Sequence, residues 1–302
     1  IGGMNLHKYS EIITSTVTEL SEYESVKLLC LQHHEGEPYP SETILHEIIK
    51  LCRSLLFPGY FGHSNVNRRN ITYYLGINTE KLYELLSEQI LAGLCFICDR
   101  TKYVSLEGMR EEAVKIAAEF LKSLPELRKI LTTDVIAAYN GDPAAESYGE
   151  VIFCYPAIRA ISNHRIAHQL LKLGVPLIPR MISEMAHSET GIDIHPAATI
   201  GSYFTIDHGT GVVIGATAII GNNVKIYQGV TLGAKSFPLD ENGNPIKGIP
   251  RHPIIKDNVI IYSNASILGR ITIGEGATIG GNIWVTEDVP AGARVMQSKA
   301  RQ

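Results

Sequence analysis

Residues 255–289 read IKDNVIIYSNASILGRITIGEGATIGGNIWVTEDV and carry an aliphatic residue at every sixth position without a slip. These positions are Ile255, Ile261, Ile267, Ile273, Ile279 and Val285. Four residues after each of them comes a second small or apolar residue: Val259, Ala265, Ile271, Ala277, Ile283 and Val289. A period of six fits neither a 3.6-residue helix nor an alternating strand. It predicts short parallel strands joined by turns, with three strands to a coil.

The same spacing begins much earlier in the chain. Ile194, Ile200 and Ile206 are six residues apart, and after two extra residues the register resumes at Ile214, Ile220, Ile226 and Leu232. Such aliphatic residues would point into a prism and stack on their equivalents one coil away. The stretch 234–253 breaks the repeat and is dense in turn formers, so we expect it to leave the prism as a loop. We interpret this loop as functional rather than as a disordered excursion.

The first half of the chain indicates a different architecture. Apolar residues recur at three- and four-residue steps, which is typical of amphipathic helices. We predict six to eight helices, with breaks at 57–59, 124–125 and 141–143 and a helix start at Asn78 or Thr79. The predicted fold class is α+β, with a helical N-terminal domain over 1–190 and a parallel β-helix domain over 191–302. We interpret residues 1–3, which precede Met4, as a cloning scar.

Composition excludes several classes of protein. The 302 residues are 45% hydrophobic and 19% charged, with a formal net charge of −4, which is typical of a folded globular chain. The charge balance argues against nucleic acid or an anionic membrane as a partner. With no long apolar run and no signal peptide, the expected location is the cytoplasm. Cys95 and Cys98 lack further zinc ligands nearby, so we interpret them as part of an apolar helix face.

Histidine is the natural proton acceptor near neutral pH, and one of the eleven histidines stands out. His208 lies where the repeat gains two residues, so its side chain is presented at a distorted corner. Asp193 and His195 lie nearly one coil earlier, and we expect Asp193 to be close enough to orient the imidazole. A purely structural role for Asp193 is the alternative. His164 and His168 share one helix face without a third metal ligand, so we expect both to pack against the coil.

Several motifs together resemble a known family over about residues 140–290. They are Asp-Ile-His-Pro-Ala-Ala-x-Ile-Gly at 193–201, Asp-His-x-Thr-Gly at 207–211, Gly-Val-Thr-Leu-Gly at 229–233 and Arg-His-Pro at 251–253. A Gly-Asp-Pro-Ala turn at 141–144 and His-Arg-Ile-Ala-His at 164–168 precede them. This combination resembles serine O-acetyltransferase, a member of the hexapeptide-repeat acyltransferase superfamily. The resemblance implies left-handed coiling of the β-helix.

The resemblance also implies an activity, the first committed step of cysteine biosynthesis. An acetyl group would pass from acetyl-CoA to the hydroxyl of L-serine, without a permanently bound cofactor or a metal. His208 would be the general base, and Asp193 would orient it. The residues implied to hold the amino acid are Asp142, Asp207, Arg251 and His252. Coenzyme A would contact the backbone near Gly233, Ala234 and Gly281.

Partners follow from the same resemblance. Three prisms would associate with each site between two subunits, giving a trimer or a dimer of trimers, and L-cysteine would inhibit at the serine site. The chain ends at Gln302 without the terminal Ile that family members insert into O-acetylserine sulfhydrylase, so we do not expect that complex.

Three alternatives stay open at this point. An acetyltransferase for a sugar or another small alcohol would keep His208 but would need no carboxylates for an ammonium group. A γ-type carbonic anhydrase would use His195, His208 and His252 as zinc ligands. A scaffold of helices and prism that binds a partner protein is the non-enzymatic alternative.

Overall fold

The computed structural model describes residues 6–26, 36–62, 65–96 and 105–297, and Cys98 lies outside them. Helices come first in the chain, and strands follow. The helices are α1 Leu6–Leu20, a 3-10 helix at Tyr23–Val26, α2 Glu42–Leu56, α3 Ile71–Cys95, α4 Leu106–Gly141, α5 Tyr148–Cys154, α6 Pro156–Lys172 and α7 Ile178–Thr190. Among the described residues, no helix combines the length and the apolarity needed to cross a bilayer.

Two of the expected helix boundaries are wrong. The helix α4 continues through Pro125, because the buried residues Phe120, Leu127 and Leu131 anchor it on both sides and offset the cost of the proline. The helix α3 begins at Ile71, so Asn78 and Thr79 lie inside it. The breaks expected at 57–59 and 141–143 are confirmed, since α2 ends at Leu56 and α4 ends at Gly141.

In the described range 105–297, fourteen short strands follow the helices, and they confirm the predicted parallel β-helix. The first half of the repeat contains β1 Asp193–Ile194, β2 Thr199–Ile200, β3 Thr205–Asp207, β4 Val213–Ile214, β5 Ile219–Ile220, β6 Lys225–Tyr227 and β7 Thr231–Gly233. The second half contains β8 Ile254–Ile255, β9 Ile260–Ile261, β10 Ser266–Leu268, β11 Thr272–Ile273, β12 Thr278–Ile279, β13 Trp284–Val285 and β14 Arg294–Val295.

Up to β13 every third strand pairs in parallel, and β14 pairs with β12, which produces three sheets around one prism. The first sheet is β1-β4-β7-β10-β13, the second is β2-β5-β8-β11 and the third is β3-β6-β9-β12-β14. The aliphatic residues of the six-residue repeat are buried inside, as at Ile214, Leu232 and Ile267. Each buried CH₂ group contributes about 0.8 kcal/mol, so this column of side chains is the main source of the prism's stability.

The segment 234–253 leaves the prism without disturbing it. It runs between β7 and β8 and contains a bridge from Leu239 to Pro245. Ile219 in β5 pairs with Ile254 across this excursion, in the same way that Thr199 pairs with Ile219 one coil earlier. The ladder therefore continues as if the loop were absent.

A buried ion pair joins the helices to the prism. Arg165 of α6 donates to both carboxylate oxygens of Asp134 in α4, at 2.6 and 2.8 Å. The same guanidinium donates to the carbonyls of Ile200 and Gly201, and Asp134 accepts from the amide of Phe204. This network holds the turn before β3, the strand that ends at Asp207.

Candidate active site

His208 lies at the corner between the third and first sheets, directly after β3. Its backbone adopts a left-handed conformation with φ of 58°, and its side chain is 78% exposed. The turn is tight, because a Cβ added to Gly209 would lie 2.5 Å from Ile192. The imidazole Nε2 lies 3.7 Å from Oδ1 of Asp207. The two inserted residues thus present an accessible imidazole beside a carboxylate.

Asp207 is held by a residue that the sequence analysis did not single out. Its Oδ2 lies 3.3 Å from Nζ of Lys225, in the neighbouring strand β6. Lys225 also donates to the carbonyl of Gly141 at 2.5 Å and lies 4.7 Å from the ring centroid of Tyr227. Burial acts to lower the pKa of Lys225, but Tyr227 and Asp207 outweigh it and raise that pKa, so the ammonium stays charged.

Asp142 follows the last residue of α4 and joins the same group. Its Oδ2 accepts a hydrogen bond from the hydroxyl of Tyr155 at 2.5 Å, and its Oδ1 accepts from the amide of Ala144 at 2.8 Å. The bond from Tyr155 is the main reason that the pKa of Asp142 is lowered, and the charges of Lys225 and His208 act in the same direction. Asp142, Asp207 and His208 therefore gather at one corner, which brings two carboxyl groups together.

Arg251 and His252 lie at a different corner, between the first and second sheets. The ring of His252 packs on Gly215, where an added Cβ would lie 1.9 Å from the ring. His252 Nδ1 accepts from the amide of Thr217 at 3.1 Å and lies 2.8 Å from its hydroxyl, so the other ring nitrogen carries the proton. Burial, followed by the charge of Arg251, lowers the pKa of His252 to about 4. His252 is thus a neutral imidazole with a fixed donor.

The terminal nitrogens Nη1 and Nη2 of Arg251 form no hydrogen bond with the described part of the chain. Its backbone amide donates to the hydroxyl of Thr217 at 2.9 Å. Its side-chain Nε is buried and has no hydrogen-bond partner among the described residues. The guanidinium carbon lies 5.9 Å from the ring centroid of Phe237, in the inserted loop. The inserted loop therefore ends with a cationic side chain, that of Arg251, next to the prism.

The expected closeness of Asp193 and His208 is not found within the chain. Asp193 pairs with Val213 in the next coil, so it lies on the first sheet and not beneath the His208 corner. The reason is the insertion itself, which adds its two residues between His208 and that strand. Among the described residues, no hydrogen bond or ion pair joins Asp193 to His208. Asp193 instead lies beside His195. Burial is the main reason that the pKa of His195 is lowered; Arg180 and Arg251 act in the same direction, and Asp193 opposes them.

The residues expected to contact coenzyme A flank the first sheet. Gly233 ends β7, and Ala234 follows it at the corner between the first and second sheets. Gly281 follows β12 at the opposite corner, where an added Cβ would lie 3.1 Å from the carbonyl of Ser263. The outer face of the first sheet lies between these two edges.

A cavity of about 520 Å³ between α4, α6 and β2 contains none of the predicted site residues. His164 and His168 line it with ring centroids 5.6 Å apart, and His168 Nδ1 donates to the carbonyl of Pro196. His168 thus contacts the coil as expected, and His164 is buried beside it.

Sequence reasoning missed Lys225, Tyr155 and Thr217. Lys225 is a charged residue at an outward position of the repeat, in register with Thr205 and therefore two residues away from the register partner of Asp207. A lysine two residues from an aspartate on the neighbouring strand indicates a possible ion pair, and the sequence shows this once the strand register is known. Tyr155 and Thr217 stand in no motif, and their contacts depend on how α5 and the loop end pack.

A parallel β-helix of six-residue repeats, with an accessible imidazole at an irregular corner, defines a hexapeptide-repeat acyltransferase. No protein-family model matches the chain. The plasmid serine acetyltransferase of Synechococcus elongatus is 49% identical over 277 residues, which cover 90% of this chain and 87% of that protein. The chain belongs to the serine acetyltransferase family.

Solved structures agree with this assignment. Serine acetyltransferase isoform 3 of Entamoeba histolytica, in complex with cysteine, matches with a TM-score of 0.70 and 34% identity, covering 90% of this chain and 86% of that one. A serine acetyltransferase in complex with CoA matches with a TM-score of 0.54 and 27% identity, covering 86% and 98%. The predicted family and the prediction of an acyltransferase are confirmed.

Proposed function

We propose that this chain transfers the acetyl group of acetyl-CoA to the hydroxyl of L-serine, with His208 as the general base. The reaction gives O-acetyl-L-serine and CoA. The observation that carries the base assignment is the 78% exposed imidazole of His208, held at the inserted corner beside Asp207. Membership of the serine acetyltransferase family favours serine over a sugar hydroxyl.

The charged residues match the two ends of an amino acid. Asp142 and Asp207 are two carboxylates that can accept from the ammonium group, and Arg251 offers a planar pair of donors for the carboxylate. His252 adds one neutral N–H donor, because its Nδ1 is occupied by Thr217. A sugar hydroxyl would leave these charges without partners.

These binding groups lie at two different corners of the prism, so one chain alone holds only half of the site. The first corner contains Asp142, Asp207 and His208, and the second contains Arg251 and His252. A threefold assembly would place the second corner of one copy against the first corner of the next. Asp193, which lies near the second corner, would then orient His208 of the neighbouring copy.

Further association into a dimer of trimers is part of the same proposal. The helix α1 exposes Ile12, Ile13 and Val17, each of them more than half exposed. An apolar helix face of this kind is typical of an interface between subunits.

The chemistry needs no covalent intermediate on the enzyme. The imidazole of His208 takes the proton from the serine hydroxyl as the oxygen attacks the thioester carbon. The tetrahedral intermediate collapses, the C–S bond breaks, and CoA leaves as a thiolate that the imidazolium protonates. General-base assistance of this kind is worth roughly 10²–10⁴ in rate, or about 3–5 kcal/mol.

The remaining partners follow from the same site. Acetyl-CoA would lie along the first sheet, near Gly233, Ala234 and Gly281, in the groove between two prisms. L-cysteine has the same ammonium and carboxylate as serine, and a related enzyme was solved with cysteine bound. We therefore propose L-cysteine as a feedback inhibitor, and the cytoplasm as the location of the reaction.

A complementation experiment tests the base and the shared site together. His208→Ala and Arg251→Ala should each abolish most activity, the first through kcat and the second through KM for serine. When the two variants are unfolded, mixed and refolded together, about a quarter of the sites regain both groups, so about a quarter of the activity should return. His46→Ala, which removes an exposed histidine on α2, should be neutral.

Two results would contradict the proposal. Wild-type turnover of His208→Ala would exclude this residue as the base. A refolded mixture as inactive as its two components would show that His208 and Arg251 of different copies do not share a site.

A further inference from the structure

Three metal-ligating side chains converge where α7 meets β1. Glu184 and His187 lie one turn apart on α7, and Asp193 is the first residue of β1. One nitrogen of His187 and one carboxylate oxygen from each of Glu184 and Asp193 all lie within 4.8 Å of one another. All three side chains are partly buried, so they are held in place and still reachable from solvent.

The backbone fixes this arrangement. The helix α7 ends at Gly191, a left-handed residue with φ of 70° whose amide donates to the carbonyl of His187 at 2.8 Å. This turn reverses the chain and lays Asp193 against the last turns of the helix. The ligands therefore come from two rigid elements and not from a loop.

The hydrogen bonds around the cluster hold Glu184 and His187 in place. Arg180 donates to Oε1 of Glu184 at 2.6 Å, and Nδ1 of His187 donates to Oε2 of Glu184 at 3.0 Å, so an ion bound through these two atoms would replace the second bond. The carboxylate of Asp193 forms no hydrogen bond or ion pair with any residue in the described part of the chain. A cation can therefore recruit Asp193 without breaking a bond within the chain.

We propose that Glu184, His187 and Asp193 bind a divalent transition-metal ion of the zinc class, and that this ion inhibits the enzyme. Imidazole nitrogen and carboxylate oxygen bind Zn²⁺ at about 2.0–2.2 Å, so ligand atoms of one ion lie roughly 3–4 Å apart. The present spacing reaches that range by small side-chain rotations. Two carboxylates also balance the charge of a divalent ion.

Inhibition follows from the role of Asp193, and this part rests on the proposed function. An ion bound to Asp193 would withdraw its carboxylate from the neighbouring copy's His208. The pair His164 and His168 is a weaker candidate, because the described residues offer no third ligand within reach of them.

Binding is tested first, independently of activity. Chelator-treated full-length protein is titrated with Co²⁺ alone, and the visible d–d absorption is followed. We expect a band that saturates at one Co²⁺ per chain and that Zn²⁺ displaces. His187→Ala and Glu184→Gln should each weaken Co²⁺ binding by at least about tenfold. His46→Ala, which removes another imidazole close to α7, should bind like wild type.

Inhibition is tested on the same proteins. Acetyl transfer is followed through the loss of thioester absorbance, with and without Zn²⁺. We expect Zn²⁺ to inhibit the wild type and His46→Ala reversibly, and His187→Ala to keep its basal kcat and escape inhibition. Equal Co²⁺ binding by wild type and His187→Ala would overturn the site. If metal binding depends on His187 but Zn²⁺ leaves turnover unchanged, only the inhibitory role is overturned. If the protein does not acetylate serine at all, the proposed function is refuted, and the Co²⁺ titration still decides whether the metal site exists.

Discussion

The ammonium nitrogen of Lys225 lies 3.3 Å from the carboxylate of Asp207, and the same ammonium donates to the carbonyl of Gly141. Gly141 immediately precedes Asp142. One side chain therefore sets the distance between the end of α4 and strand β3, and with it the spacing of the two carboxylates proposed to bind the serine ammonium.

Replacing this lysine should impair serine binding specifically. Hydrogen bonds to charged groups contribute about 1.5–3 kcal/mol, so Lys225→Met should raise KM for serine by about tenfold or more. The KM for acetyl-CoA should stay near its wild-type value, because Lys225 contacts Asp207, Gly141 and Tyr227 and none of the residues proposed to contact the coenzyme. Steady-state kinetics with each substrate varied in turn measure both constants. The matched control is Lys256→Met, which changes an exposed lysine of the same β-helix. An unchanged KM for serine in Lys225→Met would show that Lys225 does not position the carboxylates.

The hydroxyl of Tyr155 should set the acid limit of serine binding. Its bond to Asp142 is the main cause of the lowered pKa of that carboxyl, so Tyr155→Phe should raise this pKa toward its usual value. Since serine binding needs ionised Asp142, the acid limb of kcat/KM for serine should move to higher pH. The measurement is a pH profile of both proteins. The control is Tyr148→Phe, whose ring packs on Tyr139 and which should leave the pH profile unchanged. An unchanged pH profile in Tyr155→Phe would show that Asp142 takes no part in serine binding.

Thr217 should act through Arg251 and His252. Its hydroxyl oxygen accepts from both of their backbone amides, at 2.9 and 3.0 Å, and lies 2.8 Å from Nδ1 of His252. Thr217→Val keeps the shape and leaves the backbone amides of Arg251 and His252 without their acceptor, at a cost of about 1–3 kcal/mol. We expect a higher KM for serine and a lower melting temperature, both largely restored in Thr217→Ser. Kinetics and thermal unfolding check this, and equal behaviour of the Val and Ser variants would rule out the hydroxyl.

The buried pair of Arg165 and Asp134 should dominate the stability of the contact between helices and prism. Removing one partner of a buried ion pair costs about 3–5 kcal/mol, because a buried charge stays behind. Arg165→Met should show this loss in urea unfolding. Arg159→Met breaks an exposed pair with Glu189 and should cost no more than about 1 kcal/mol. Equal losses in the two variants would mean that the buried network does not anchor the prism.

The repeat made the β-helix predictable because every coil has the same pattern of buried aliphatic residues. An aliphatic residue at every sixth position has to be buried, and the pairing of Ile219 with Ile254 shows that the rule survives the long loop. Helix boundaries were less predictable. Pro125 is tolerated inside α4 through packing on both sides, and local sequence contains no information about that packing.

The site was predictable in its residue types but not in its assembly. His208 stood out because an insertion interrupted the repeat at an ionisable residue. The position of Asp193 relative to His208 depended on whether the two extra residues lie before or after His208 in the coil. The six-residue spacing does not determine their place. Lys225 and Thr217 act through contacts between distant parts of the chain, so no local motif marks them.

The continuity of the ladder across the excursion at 234–253 has an evolutionary consequence. Because the coils before and after it stack directly on each other, the prism does not depend on how long the excursion is or what it contains, provided that its last residues return to Thr217. Natural variants are therefore free to lengthen, shorten or change the sequence of this segment. A new ligand preference can arise there without a compensating change in the β-helix.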